Sequence, residues 1–159
     1  MTHRRPSPPT RTSRPTRSVA QKMGVRAGSR ARLVDAPPGV ADELGLPGLR
    51  WVGAGEEADH LHLFVVTEAG MRTSFAAVAA DLAPGGALWV SWPRGRRRGA
   101  DLTLREVIAV GYDGGLVEST CLRVDDTWAG LRFTHPRPGR VYANSYGTLP
   151  WQRPADRRP

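Results

Sequence analysis

The stretch from His60 to Trp92 constrains the fold more than any other part of this chain. His60-Leu-His-Leu-Phe-Val-Val66 is nearly all apolar at its end, as a strand buried on both faces must be. Met71, Phe75, Val78, Ala79 and Leu82 then recur at helical spacing. Leu82-Ala-Pro-Gly-Gly86 reads as the stop of that helix, and Ala87 to Trp92 as the next strand. A helix between two buried strands is the crossover that parallel strands require.

The flanking segments continue the pattern. Arg30 to Ala36 reads as the first strand, ended by Pro37-Pro38-Gly39. Residues 40 to 46 make a short helix and Leu49 to Val52 a second strand. Ser18-x-x-Gln21 and Thr103-x-x-Glu106 have the form of capping boxes, the second opening a helix with Leu104, Val107 and Ile108 on its apolar stripe. Leu116 to Val124 and Ala129 to Thr134 are strands joined by Asp125-Asp126-Thr-Trp128, too short a link for anything but antiparallel neighbours. The expectation is an α/β domain over 19–135, with a small, mostly parallel sheet flanked by helices and ending in an antiparallel β-hairpin. Residues 1–18 read as a disordered Arg/Pro-rich tail and 136–159 as a second tail rich in Arg, Pro and aromatics.

Charge has to be mapped before it means anything. The net +8 belongs to the two tails, which carry +5 and +4, while residues 19–135 sum to −1. A nucleic-acid footprint belongs on the face of the fold, so the basic total argues only for contact through the tails. Lys22 is the sole lysine among 23 basic residues, which reads as compositional bias toward arginine more than phosphate recognition. Cys121 is alone, so no intrachain disulfide is possible, and its strand position suggests packing as a small hydrophobe. The basic start lacks the apolar stretch of a secretory signal, and no apolar run is long enough to span a bilayer. A cytoplasmic protein is the expectation.

Several segments resemble a bacterial family known as domain of unknown function 3052. They are Lys22-Met-Gly-Val-Arg-Ala-Gly28, Leu33-Val-Asp-Ala-Pro37, Leu82-Ala-Pro-Gly-Gly86, Leu88-Trp-Val-Ser-Trp-Pro93, Gly115-Leu-Val117 and Trp128-Ala-Gly-Leu-Arg132. The resemblance spans roughly residues 19–135 and implies a reduced, methyltransferase-type Rossmann-like fold. It implies no particular activity.

Active enzymes of the methyltransferase type place an acidic residue and Gly-x-Gly after the first strand, so that backbone can approach the cofactor. Here Asp35-Ala-Pro-Pro-Gly39 occupies that place: Asp35 can supply the acid and Gly39 the glycine, but Pro37 and Pro38 remove two backbone donors. Glu56 is the candidate to hold ribose hydroxyls beyond the second strand. Only residues 53–59 separate the second and third strands, a reach of roughly 25 Å when extended. That is too short for the usual helix–strand–helix insert on the adenine side.

Ligands of open α/β sheets favour the crevice beyond the carboxyl ends of the strands. Three tips are expected to converge there: Asp35 to Gly39, Gly53 to Glu57, and Ser91 to Arg94. Trp92 can stack on a planar ligand, Ser91 can hydrogen-bond it and Arg94 can bind an anion; otherwise Trp92 and Pro93 merely cover the end of the sheet. His60 and His62 share one strand face but lack further metal ligands, so an exposed or edge-facing pair is expected. Asp125 to Trp128 reads as a hairpin turn, and Arg94 to Arg98 as a solvated loop. Tyr142, Tyr146 and Trp151 can stack on nucleic acid or pack on the domain or a partner.

The function expected from sequence is therefore a non-catalytic module that binds a small molecule or protein, with no cofactor. The first alternative is an atypical S-adenosylmethionine-dependent methyltransferase using Asp35, Glu56 and the Ser91 to Arg94 tip. The second is a nucleic-acid-associated protein acting through its basic tails.

Overall fold

The computed structural model describes residues 17–153, so most of the N-terminal segment expected to be disordered, and the last six residues, lie outside the described residues. Six strands form one sheet among these residues: β1 (Arg30–Val34), β2 (Arg50–Trp51), β3 (Ala58–Phe64), β4 (Leu82–Pro93), β5 (Val117–Arg123) and β6 (Trp128–Thr134). Their order is β2-β1-β3-β4-β6-β5. β1 to β4 run parallel, and β6 is antiparallel to both β4 and β5. The expected α/β class, the mostly parallel sheet and the antiparallel end are all present.

Four α-helices cover the two faces: α1 (Val19–Lys22), α2 (Val40–Leu44), α3 (Glu68–Ala80) and α4 (Leu104–Asp113). Side chains alternate along β3 and β4, and each face of the sheet gets its own apolar layer. Leu61, Leu63, Leu88, Val90 and Trp92 pack under Met71, Phe75 and Val78 of α3 and Val107, Ile108 and Val110 of α4. Phe64, Trp89 and Trp128 pack under Met23, Val40 and Leu44 on the other side. Both capping boxes form: Ser18 and Gln21 at α1, Thr103 and Glu106 at α4.

Leu82 to Gly86 is not the helix stop expected from its Pro-Gly-Gly. α3 ends at Ala80 with Asp81 as its cap, and β4 already begins at Leu82. Ala58 pairs with Leu82 and His60 with Ala87, so β4 fits extra residues opposite β3 as a bulge. Gly86 is what lets the bulge close. A Cβ there would sit 2.9 Å from the Asp59 carbonyl oxygen and 2.9 Å from Leu82 Cδ1.

Residues 136–153 are docked on the domain. Leu149 is fully buried in the layer beneath α3 and α4, and Tyr142 packs against it. Asn144 donates to Glu118 Oε1, and Gln152 exchanges two hydrogen bonds with the backbone of Tyr142. Cys121, expected to pack inward, is exposed, because β5 is the outermost strand. No helix of the described residues is long and apolar enough to cross a membrane.

Candidate functional site

The carboxyl edge of the sheet carries the tips of β1, β3 and β4. Asp35 follows β1 directly, exposed, with φ at +56°. That left-handed conformation turns the chain sharply and is one a non-glycine residue adopts at some cost in strain. Gly39, also left-handed, opens α2, and the Val40 N–H donates to the Pro37 carbonyl. Thr67 beyond β3 caps α3 by accepting from the Gly70 N–H. Arg94 follows β4 half-buried, and its backbone N–H donates to the Thr127 carbonyl at 2.6 Å. Past it, Gly95, Arg96 and Arg98 are left-handed, and Arg98 lies 5.9 Å over the Trp128 ring. The remaining arginines of this loop are exposed, as expected.

Glu56 is not at this edge. β2 pairs level with the start of β1, Arg30 opposite Arg50 and Ala31 opposite Trp51. From there the chain must cross β1 to reach β3, and it crosses directly. Arg32 Nη1 donates to the Gly53 carbonyl at 3.0 Å and to Asp81 Oδ2 at 2.8 Å, while the Gly55 N–H donates to the same Asp81 oxygen at 3.0 Å. Asp81 stands at the amino end of β4, so these bonds hold residues 53–57 near the amino edge. There Glu57 meets Arg30 at 3.3 Å and Glu56 is exposed. Asp35 lies beyond Val34, at the other end of β1. The expected convergence of three tips fails because a link without a helix has to turn back at once.

Ser91 and Trp92 are also not ligand-facing. Ser91 is 0 % exposed on the face beneath α1 and α2, with its Oγ 2.6 Å from His62 Nε2. Trp92 is 5 % exposed in the opposite layer, beneath α3 and α4. β4 continues to Pro93 as regular strand, so these side chains are committed to the interior. Of the four-residue tip only Arg94 reaches the surface.

His60 and His62 do share a face, but they are interior residues and not an edge pair. They are 4 % and 0 % exposed, with ring centroids 6.3 Å apart, and His62 stacks on Phe64 at 4.1 Å. Burial pushes the His60 imidazole down to about 4. Burial, with His60 as a second and smaller cause, pushes His62 down to about 3. Both rings are therefore neutral at neutral pH. No group of three or more metal-ligating side chains occurs among the described residues. Asp125 is the hairpin turn expected: its Oδ1 accepts from the N–H groups of Thr127 and Trp128, each at 2.7 Å.

No family model matches the sequence, and no curated protein matches it. Solved structures do share the fold. One is the Burkholderia thailandensis 1,6-didemethyltoxoflavin-N1-methyltransferase with bound 1,6-didemethyltoxoflavin and S-adenosylhomocysteine, at TM-score 0.55 and 12 % identity, covering 75 % of each chain. Another is the ribosomal protein L11 methylase from Lactobacillus delbrueckii subsp. bulgaricus, at TM-score 0.51 and 10 % identity, covering 73 % of this chain and 74 % of that one. The sequence-based expectation of a non-catalytic module without a cofactor is corrected by these likenesses. Chains of this architecture include methyltransferases, one of them with bound S-adenosylhomocysteine. What they establish for this chain is its fold: a methyltransferase-like Rossmann-type sheet.

Proposed function

We propose that this protein is an atypical S-adenosylmethionine-dependent methyltransferase, with its cofactor seated on the carboxyl edge beside Asp35 and Gly39. The observation that carries the reading is the strand order β2-β1-β3-β4-β6-β5, with an antiparallel β6 set between parallel β4 and β5, in a fold shared with methyltransferases. S-adenosylmethionine, when bound, supplies an activated methyl group for transfer to a nucleophile.

The β1 turn fits such a ligand in part. Asp35 presents an exposed carboxylate at the strand tip, and Gly39 opens α2 with no side chain to block close approach. Pro37 and Pro38 withhold two backbone donors, so binding depends more on Asp35 than it would in a glycine-rich loop. Arg94 supplies a cation on the same edge, at the β4 tip, with β3 between it and β1. Glu56 does not fit, since it stands at the amino edge, and the ribose hydroxyls would have to be met from the β1 turn alone.

Titration calorimetry of the full chain with S-adenosylmethionine tests this. Saturable 1:1 heat is expected, weakened roughly tenfold by Asp35→Ala, the loss of one charge-assisted contact, and unchanged by Glu56→Gln. Transfer of a labelled methyl group to a component of a cell lysate is the accompanying activity. Absence of saturable heat together with absence of transfer overturns the proposal.

A further inference from the structure

A cavity at the opposite edge of the sheet from Asp35 has the chemistry of an anion site. It has a volume of about 630 Å³ and opens at the amino edge of the sheet, on the face that carries α1. Its floor comes from Ala87 and Trp89 of β4 and Arg132 of β6, and its wall from Lys22 to Arg26. Trp89 and Arg132 are opposite each other in the ladder, so both side chains stand on this same face. α1 is only four residues long and leaves the adjoining part of the sheet uncovered.

The charges of the lining do not cancel. Lys22, Arg26 and Arg132 line the cavity, and none of them forms a salt bridge among the described residues; Arg132 makes only a hydrogen bond to Ser119 Oγ at 3.2 Å. Asp59 is the one acid of the lining, and both its oxygens are taken by Arg30, at 2.9 to 3.1 Å. The positive surplus is thus left for something else. The lining is also short of acceptors. His60 Nε2 and Trp89 Nε1 are buried with no protein partner, in residues that are 4 % and 1 % exposed and form part of the cavity wall. Buried donors in native proteins nearly always meet an acceptor. Neutral His60 can donate one proton and Trp89 can only donate.

We propose that this cavity binds a phosphate-bearing small molecule. Arg132 and Arg26 grip the phosphoryl oxygens, Lys22 adds a point charge, and the rest of the ligand lies toward the His60 and Trp89 wall. Arginine forks match phosphate geometry. The volume falls in the range of about 300–1,000 Å³ that holds small ligands, and is larger than a bare phosphate ion needs.

The test uses the full chain with adenosine 5′-monophosphate, inorganic phosphate and adenosine as probes, followed by titration calorimetry and by the indole Nε1–H resonance of Trp89. Saturable binding of the monophosphate is expected, with weaker binding of inorganic phosphate and none of adenosine. Arg132→Gln, and separately the pair Lys22→Gln and Arg26→Gln, should each weaken monophosphate binding roughly tenfold or more, as loss of a charge-assisted hydrogen bond does. Unchanged circular dichroism and melting would confirm that these exposed or half-exposed substitutions leave the fold intact. Asp35→Ala should leave the binding as it is, which separates this site from the one proposed on the carboxyl edge. Binding unaffected by the substitutions would place the phosphate on the basic termini and refute the site. Equal binding of adenosine, or no binding of any probe, would also refute it.

Discussion

His62 Nε2 and Ser91 Oγ lie 2.6 Å apart in the interior, a side-chain hydrogen bond that ties β3 to β4 beneath Phe64 and Trp128. A polar pair in an apolar layer stabilises only while both partners are present, because an abandoned buried donor or acceptor bears its full desolvation cost. His62 Nδ1 already lacks a partner. Ser91→Ala is therefore expected to destabilise the protein by about 2 kcal/mol in urea denaturation. It should not alter S-adenosylmethionine or monophosphate binding, since Ser91 faces neither site.

The two buried histidines set the response to mild acid. Each takes a proton near pH 6.5 when unfolded but only near 4 or 3 when folded. Between those values the unfolded chain binds more protons, so stability is full above about pH 6.5 and falls as the pH drops below it. At pH 5 the loss is on the order of 2 kcal/mol per histidine. Denaturation between pH 7.5 and 5 reads this directly, and His60→Gln should flatten the slope by about one proton. A curve flat across that window would contradict the buried, neutral state.

Asp81 fastens the crossing between β2 and β3. Its bond to Arg32, and then that to the Gly55 N–H, hold the carboxyl below the usual range. Its contribution is present above the unfolded value of 3.8 and is lost as the pH falls below it. Asp81→Ala removes both anchors and leaves Arg32, whose side chain is 14 % exposed, without its acid. A loss of about 2 kcal/mol is expected, with faster hydrogen exchange at Gly55.

The docked C-terminal segment is part of the core. Leu149→Ala should lower stability by about 3 kcal/mol, the cost of an aliphatic side chain removed from a filled site. The thermal midpoint of this variant measures it, and an unchanged midpoint would mean the segment is not packed as described.

α4 meets β6 without room to spare. A Cβ on Gly111 would lie 2.0 Å from Cε1 of Phe133, a ring that is fully buried and edge-on to Phe75. Gly111→Ala must displace that ring and is expected to destabilise by about 3 kcal/mol or more, despite the better helix propensity of alanine. Pairing it with Phe133→Leu should recover part of the loss, which a double-mutant cycle would quantify.

Local chemistry was enough to locate the elements. The capping boxes at Ser18 and Thr103, the Met71-Phe75-Val78 stripe and the apolar run from His60 to Val66, of which β3 keeps the part up to Phe64, all depend on neighbours within one or two turns, and those neighbours are adjacent in sequence. The alternation that sets Trp89 and Trp92 on opposite faces is equally local. Even the missing insert was legible, since seven residues cannot hold a helix and a strand. Pro84-Gly85-Gly86 misled because the same residues that stop helices also make a bulge, and only the partner strand distinguishes the two.

The candidate site was another matter, because convergence depends on strand order and on which faces other elements cover. Asp35 and Glu56 both follow strands, yet β2 sits level with the start of β1 and the short return carries Glu56 to the opposite edge. Ser91, Trp92 and both histidines look like surface chemistry in a line of residues, but all four are buried by what packs around them from distant parts of the chain. The cavity of Lys22, Arg26 and Arg132 joins two segments far apart in sequence, since it is assembled from α1 and the loop after it, β4 and β6. The sequence by itself determined what each segment becomes, since that is set by backbone preference and periodicity over a few residues. Tertiary structure alone decided which polar groups face water, because burial is a property of everything that packs around a residue.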